Sequence, residues 1–294
     1  MTKPFAQGPE YASKLNDRRG GGGASTDKAG ARYWSQVWAQ YDLPPPIDPK
    51  EPAVDNYVNR CFHQYFVGTF AGLRTSDMSL LEVGCARSVW LPYFATQFGF
   101  SVAGLDYSDL GCRQAKHLLA DAGVTGEVIC ADVFSPPADM LDRFDVVVSF
   151  GLIEHFSDTA GCVGALAKFV RPGGLLVTNI PNMVGWIGLV EKLVNRPVYD
   201  IHVPLDVVGV ATAHQRCGLQ VVDCDYFVSV NFGVCNLNGV PSGTLGWRIK
   251  SGVLWALARL SKLVWILEQR FGPLPATRLV SPYINCVARR PGGK

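Results

Sequence analysis

Acidic or small residues follow four short apolar runs in the middle of this sequence, a pattern that could bind a ligand rich in hydrogen-bond donors. The run LLEV contains Glu82 and is followed by Gly84, Asp106 ends SVAGLD, Asp132 follows GEVICA, and Gly151 follows FDVVVSF. Carboxylates accept hydrogen bonds from hydroxyl and amino groups, whereas they repel a pyrophosphate. The residue types therefore favour a ligand that carries several donors and a positive charge.

The segments between these runs have helical periodicity, and this alternation predicts the elements that must position the acidic residues. Strand–helix alternation with buried strands indicates a parallel sheet with helices on both faces. In such a sheet, ligands bind outside the carboxyl ends of the strands, so these residues should meet at one edge. Asp106 lies 22 residues after Gly84, which is about the distance expected for a carboxylate that accepts from ribose hydroxyls.

The segment 78–180 resembles the core of the class I S-adenosylmethionine-dependent methyltransferases, because these elements occur in the same order at fitting spacings. The first motif of that family is an acidic residue followed by Gly-x-Gly-x-Gly, and it stands here as Glu82, Gly84, Ala86 and Ser88. The resemblance implies an α/β fold: a Rossmann-like methyltransferase sheet with an N-terminal helical cap and a helical insertion before the last strand.

The resemblance also implies which residues hold the amino-acid end of the cofactor, S-adenosyl-L-methionine. The backbone of Gly84 and Cys85 would lie along its methionine part, and Glu82 would support that turn. The backbone of Gly151 would face the methionine amine.

The nucleoside end of the cofactor is assigned in the same way. Asp106 would accept from both ribose hydroxyls, and Tyr107 would flank the adenosine. Asp132 would accept from the adenine amino group, while Val133 would pack on the ring.

The segment GLIEHFSD contains a Glu154–His155 pair that resembles the one in the ubiquinone-pathway O-methyltransferases and the cyclopropane fatty-acid synthases. Histidine titrates near neutral pH, so His155 could remove the proton of an acceptor hydroxyl; alternatively, the pair could cap the following helix. His202, in RPVYDIHVP, is a second candidate base or a packed loop histidine. No metal is expected, because no second carboxylate is paired with Glu154 in the sequence.

An apolar segment near the C-terminus, GWRIKSGVLWALARLSKLVWILEQRFG, predicts a long helix with a basic stripe. A helical projection places the stripe residues within about 80° of one another; they are Arg248, Arg259, Lys262 and Arg270. The stripe suggests peripheral membrane contact through 247–271 or a lipid-like acceptor. The alternative is a core helix with one solvated cationic edge.

The remaining composition bounds the class of protein. Nine cysteines occur singly, without a CxxC pair, which favours reduced thiols in a cytoplasmic protein. The N-terminus MTKPFAQGPEY lacks a signal-peptide pattern, and the net charge of +2 disfavours a nucleic-acid partner. Oligomeric state is left open.

Five units are expected along the chain: a flexible segment at 1–30, a helical cap at 31–75, the cofactor-binding α/β core at 76–230, a helical insertion at 231–277, and the last strand with the tail at 278–294.

These observations predict methyl transfer to a small apolar or lipid-like acceptor, with O-methylation by a histidine base favoured. C- or N-methylation of a small molecule and a non-catalytic cofactor-binding module remain alternatives. A nicotinamide oxidoreductase would require glycines where Ala86 and Val89 stand.

Overall fold

The alternating apolar runs form one seven-stranded sheet, as expected. The computed structural model describes residues 27–293, so most of the predicted flexible segment 1–30 lies outside the described residues. The strand order is β3-β2-β1-β4-β5-β7-β6, and β7 is antiparallel to both of its neighbours. The strands are β1 (Ser79–Val83), β2 (Ser101–Asp106), β3 (Gly126–Cys130), β4 (Phe144–Phe150), β5 (Val170–Pro181), β6 (Gln220–Phe227) and β7 (Tyr283–Arg289).

Nine α-helices surround this sheet within residues 27–293. They are α1 (Ala31–Trp38), α2 (Tyr57–Thr69), α3 (Trp90–Phe98), α4 (Asp109–Asp121), α5 (Thr159–Ala167), α6 (Trp186–Val194), α7 (Arg196–Asp200), α8 (Val207–Arg216) and α9 (Leu245–Phe271). The sequence predicted all of them except α6 and α7, which lie between β5 and α8. The order of strands reverses between β1 and β4, so the carboxyl ends of these two strands form the crevice where such sheets bind ligands.

The core lies on both faces of the sheet, because successive residues of a strand point to opposite sides. Leu81 and Val147 belong to a cluster that includes residues of α5 and α8. Leu80 and Val146 belong to a second cluster with residues of α2, α3 and α4. Burial on both faces explains why the strands are continuous apolar runs, and it confirms the predicted fold class.

The predicted cap and insertion are both present. α1 and α2 precede β1, and α9 lies between β6 and β7. Since β6 ends and β7 begins at the carboxyl edge of the parallel strands, the insertion starts and ends at the edge that carries the acidic residues. Among residues 27–293, no helix has the length and apolar character needed to cross a bilayer.

Gly104 in β2 is a position where the sheet and the turn after β1 approach closely. A Cβ atom at Gly104 would lie 2.6 Å from the Sγ atom of Cys85 and 2.9 Å from Cδ1 of Leu91. Both neighbours are fully buried, so neither can move aside without disturbing the core.

We therefore expect Gly104→Ala to lower the free energy of unfolding by about 1–3 kcal/mol, the usual cost of overpacking a core. Gly68→Ala is the matched control, since a Cβ at this position in α2 meets no atom within 4 Å. It should leave stability unchanged or raise it by up to about 1 kcal/mol, because alanine has the higher helix propensity. Urea denaturation of both variants tests this, and equal stabilities would contradict it.

Candidate functional site

The turn after β1 is held against β2 by two backbone hydrogen bonds. Gly84 has a φ of +83°, which a glycine adopts without strain, and its N–H donates to the Leu105 carbonyl at 2.8 Å. The N–H of Cys85 donates to the same carbonyl at 3.3 Å. The side chain of Cys85 is buried, so this residue can offer a ligand only the rest of its backbone.

Asp106, at the end of β2, joins this turn to the next helix. Its Oδ2 atom accepts from the N–H of Ala86 at 3.1 Å, and its Oδ1 atom accepts from the N–H of Ser108 at 2.7 Å. Burial raises the pKa of the Asp106 carboxyl, against these backbone hydrogen bonds, which lower it. A carboxylate oxygen has two lone pairs, so Asp106 can still accept from a diol.

Glu82 supports the same turn from beneath. The hydroxyl of Ser88 donates to its Oε2 atom at 2.5 Å, and burial raises the pKa of Glu82 to about 8. The structure thus places Glu82 where it can hold the turn but not where it can reach solvent.

The other three residues assigned to the nucleoside differ in exposure. The hydroxyl of Tyr107 donates to Oδ2 of Asp27 at 2.8 Å. Asp132 is exposed, and its Oδ1 atom accepts from the N–H of Phe134 at 2.9 Å. Val133 packs into the hydrophobic core, so it can offer an adenine ring only a small part of its surface.

Gly151 follows β4 with a φ of +62°. Its N–H donates to the carbonyl of Asn179 at 2.8 Å, so the group that remains for a ligand is its carbonyl. A carbonyl accepts hydrogen bonds, which suits an ammonium group.

The N-terminal segment 27–38 covers this edge of the sheet. The N–H of Lys28 donates to the His155 carbonyl at 2.9 Å, and the Trp34 ring meets the His155 ring edge-on with centroids 5.0 Å apart. The hydroxyls of Ser35 and Ser108 are hydrogen-bonded at 3.0 Å. The last residues of the predicted flexible segment are thus part of the site, although nothing in their composition indicated it.

Both candidate histidines lie in one cluster, whereas the sequence offered them as alternatives. Their ring centroids are 4.6 Å apart. Nδ1 of His155 lies 3.0 Å from the carbonyl of Ile201, and Nδ1 of His202 lies 2.7 Å from the carbonyl of Val198. Since a carbonyl only accepts, each Nδ1 carries the hydrogen, and each neutral ring keeps Nε2 as an acceptor.

Glu154 completes the cluster, with Oε1 at 3.8 Å from Nε2 of His155. Both carboxyl oxygens are buried without a hydrogen-bond partner among the described residues. Burial raises the pKa of Glu154 to about 8 and lowers the pKa of His155 to about 3 and that of His202 to about 4. The three groups are therefore mainly uncharged near neutral pH, and they can together take up a proton or a cation.

The alternative reading of Glu154 and His155 as helix caps is wrong. Oδ1 of Asp158 accepts from the N–H of Gly161 at 2.9 Å, which makes Asp158 the N-cap of α5. Both Glu154 and His155 lie instead in a short 3-10 turn before it.

The same cluster could hold a divalent cation, which the sequence did not suggest. One ligand atom from each of Glu154, His155 and His202 lies within 4.8 Å of the others. Each histidine binds a backbone carbonyl through Nδ1, the usual way of orienting a metal-ligating imidazole. His202 lies 47 residues after His155, so their spacing in the sequence could not reveal the site.

Known proteins resemble this chain in sequence and in fold. A family model described as a methyltransferase domain matches residues 58–204. A ubiquinone biosynthesis O-methyltransferase of Saccharophagus degradans is 26% identical over 151 residues, which are 51% of this chain and 57% of that protein. The first curated relatives are matched over only 39–57% of their own lengths.

Solved structures extend the likeness in fold to most of the chain. Geranyl diphosphate C-methyltransferase from Streptomyces coelicolor A3(2), solved with S-adenosyl-L-homocysteine, aligns with a TM-score of 0.56 at 12% identity, covering 88% of this chain and 98% of that one. The [4+2]-cyclase SpnF aligns with a TM-score of 0.57 at 14% identity, covering 94% of this chain and all of that one. At such identities the likeness concerns the fold alone.

The burial of Glu154 predicts a pH-dependent stability. Its pKa rises from an ordinary value near 4.5 to about 8 in the folded protein, so between these pH values the folded state holds a proton that the unfolded chain has lost. The free energy of unfolding should therefore fall as pH rises through this window. Glu154→Gln should remove part of that fall and gain on the order of 1–3 kcal/mol over wild type between pH 5 and 8.5.

Urea denaturation at a series of pH values measures this slope. Glu127→Gln is the control, because Glu127 is exposed and paired with Arg143, and it should keep the wild-type slope. Identical slopes for the two variants would show that Glu154 does not titrate as its burial implies.

Proposed function

This chain belongs to the methyltransferase domain family, whose cofactor is S-adenosylmethionine, and from that premise we propose that it methylates a hydroxyl oxygen of a small apolar or lipid-like acceptor. The observation that carries the proposal is the convergence of Glu154, His155 and His202 in one cluster, which begins just after β4, the strand that pairs with β1. The curated relatives named as O-methyltransferases are consistent with it.

The described residues fit the cofactor. Asp106 offers lone pairs to a ribose diol, and the carbonyl of Gly151 offers an acceptor to an ammonium group. The positive φ of Gly84 allows the chain to turn without a side chain at the point of approach. When bound, S-adenosylmethionine supplies a methyl group that is already activated by its sulfonium charge.

Because the methyl group is activated, the protein mainly needs to orient the acceptor, exclude water and accept its proton. Nε2 of His155 and Nε2 of His202 are the acceptors available in the cluster, since each Nδ1–H is bound to a carbonyl. Burial makes both imidazoles weak bases in the free protein. Ionisation of the neighbouring Glu154 would favour the imidazolium and strengthen the base.

A metal-assisted version of the same reaction is the second candidate, favoured by the convergence of the three ligand atoms. A divalent cation in the cluster would act as a Lewis acid and lower the pKa of an acceptor hydroxyl. The two histidines would then hold the metal instead of acting as the base, and the proton released by the hydroxyl would pass to water.

Replacing Asp106 tests the cofactor site. Asp106→Ala should weaken binding of S-adenosylhomocysteine at least about 100-fold, because hydrogen bonds to a charged group contribute roughly 1.5–3 kcal/mol each. Asp109→Ala is the control, as Asp109 is exposed and paired with Arg113, and it should leave the Kd within about twofold. Calorimetric titration measures both, with NADH as a second ligand; tight binding of NADH alone would contradict the proposal.

Replacing the histidines tests the chemistry. His155→Gln and His202→Gln should lower kcat for a phenolic or quinol acceptor at least about 100-fold, the usual contribution of a general base, with little change in S-adenosylhomocysteine binding. His117→Gln should retain activity, because His117 is exposed in α4 and paired with Asp121.

Chelation separates the two candidates. Full activity in EDTA would support a histidine base, whereas activity that EDTA abolishes and Mg²⁺, Mn²⁺ or Zn²⁺ restores would support the metal. If the wild-type protein binds S-adenosylhomocysteine but methylates no hydroxyl acceptor, the reading as a C- or N-methyltransferase or a cofactor-binding module takes its place.

A further inference from the structure

The long helix α9 exposes an apolar surface that nothing in the described chain covers. Only Ser261, Trp265 and Glu268 of this helix are buried. The indole N–H of Trp265 donates to the Val230 carbonyl at 2.8 Å, which fixes the face that points inward. Large apolar side chains lie on the other sides, and we call them the α9 face: Ile249, Trp255, Leu260, Leu263, Leu267 and Phe271.

The side chains of the α9 face are largely exposed to solvent, and they lie along one helix rather than being scattered over the surface. Trp255, Leu263 and Phe271 are 63%, 59% and 76% exposed. A contiguous apolar surface of this kind marks an interaction site. The sequence alternative, a core helix with one solvated edge, therefore does not describe α9.

The charges on this helix indicate what kind of partner would bind the α9 face. Arg248, Arg259 and Arg270 recur every 11 residues, which places them within about 40° of one another on the exposed side of the helix. Within residues 27–293, none of the three has an acidic partner among the ion pairs. The helix contains one acidic residue, Glu268, and it is buried. Lys262, the fourth member of the predicted stripe, pairs with Asp55 instead.

The neighbouring helix α6 also exposes large apolar side chains and a basic one. Ile187 of α6 and Leu254 of α9 pack on one small hydrophobic cluster. On its outer side α6 exposes Trp186, Leu189 and Leu193 together with the cation of Lys192.

We propose that the α9 face, extended by α6, docks on the surface of a lipid bilayer that carries anionic headgroups. Its apolar side chains enter the interface, and the three arginines extend their guanidinium groups to the phosphates. A tryptophan on each helix suits the boundary between headgroups and acyl chains. The helix lies along the membrane, since it is not apolar enough to cross it.

A second copy of the chain suits this surface poorly. In a twofold dimer the same patch faces itself, so the three arginines of one copy would meet those of the other without acidic partners. Anionic headgroups instead provide the complementary charge.

Docking in this orientation would also favour the proposed reaction, although the docking proposal does not require that reaction. The insertion that carries α9 leaves and re-enters the sheet at the carboxyl edge, where the Glu154–His155–His202 cluster lies. Docking would therefore bring that edge of the sheet to the membrane, the source of a lipid-like acceptor.

The test is vesicle flotation of the full chain with phosphatidylcholine vesicles, with and without 30% phosphatidylglycerol. Strong binding is expected only to the anionic vesicles, and 0.5 M NaCl should weaken it. The variant Arg248→Gln/Arg259→Gln/Arg270→Gln should lower the partition coefficient about 100-fold, since each basic residue near such a surface contributes roughly fivefold. Leu263→Asn/Leu267→Asn should lower it as well, because it removes apolar area.

The matched control removes three positive charges elsewhere. Arg74→Gln/Lys168→Gln/Arg216→Gln changes exposed residues outside α6 and α9 and should float like wild type. Equal loss in both triple variants would show a nonspecific charge effect and overturn the proposal, as would absence of vesicle binding. Sedimentation velocity tests the remaining outcome. If the wild-type chain is a dimer and the α9 variants are monomers, the α9 face binds a second copy of the chain instead of a membrane. Binding of S-adenosylhomocysteine without vesicles should stay unchanged in every variant, so failure here leaves the proposed function standing.

Discussion

The hydrogen bonds that Leu105 and Asp106 make at the end of β2 are the constraint on which the site depends. The Leu105 carbonyl holds the Gly84 turn, and the Asp106 carboxylate joins Ala86 of that turn to Ser108 at the start of α4. One strand end therefore sets the position of two neighbouring connections. The closeness of Gly104 to Cys85 shows that this alignment leaves no room for adjustment.

Burial determines the protonation states of the Glu154–His155–His202 cluster, the second part of the site. Glu154, His155 and His202 lie in a poorly hydrated cluster, where their charged forms are disfavoured. A surface cluster of the same residues would ionise independently near its ordinary pKa values. Here two carboxyl oxygens without a hydrogen-bond partner among the described residues lie close to two imidazole rings, so the three side chains could hold a proton or a cation between them.

The N-terminal segment and the insertion both lie at the carboxyl edge of the sheet. The N-terminal segment covers the cluster through Lys28 and Trp34, while α6 and α9 add an apolar, basic surface beside it. In the proposed function, the strand ends bind the cofactor, and the cap and the insertion select the acceptor.

The sequence alone determined the sheet, most helices and the strand-end acids, because burial on two faces and helical amphipathicity leave periodic patterns along the chain. It also located Glu82, Gly84, Asp106 and Gly151 through their order and spacing. It did not predict α6, whose exposed side carries the large apolar residues Trp186, Leu189 and Leu193. It also did not predict the joining of His155 with His202, which lies in the loop after α7. It could not show that Lys262 pairs with Asp55 while Arg259 has no acidic partner among the ion pairs of the described residues. Such contacts between distant segments depend on tertiary packing, which no local periodicity records.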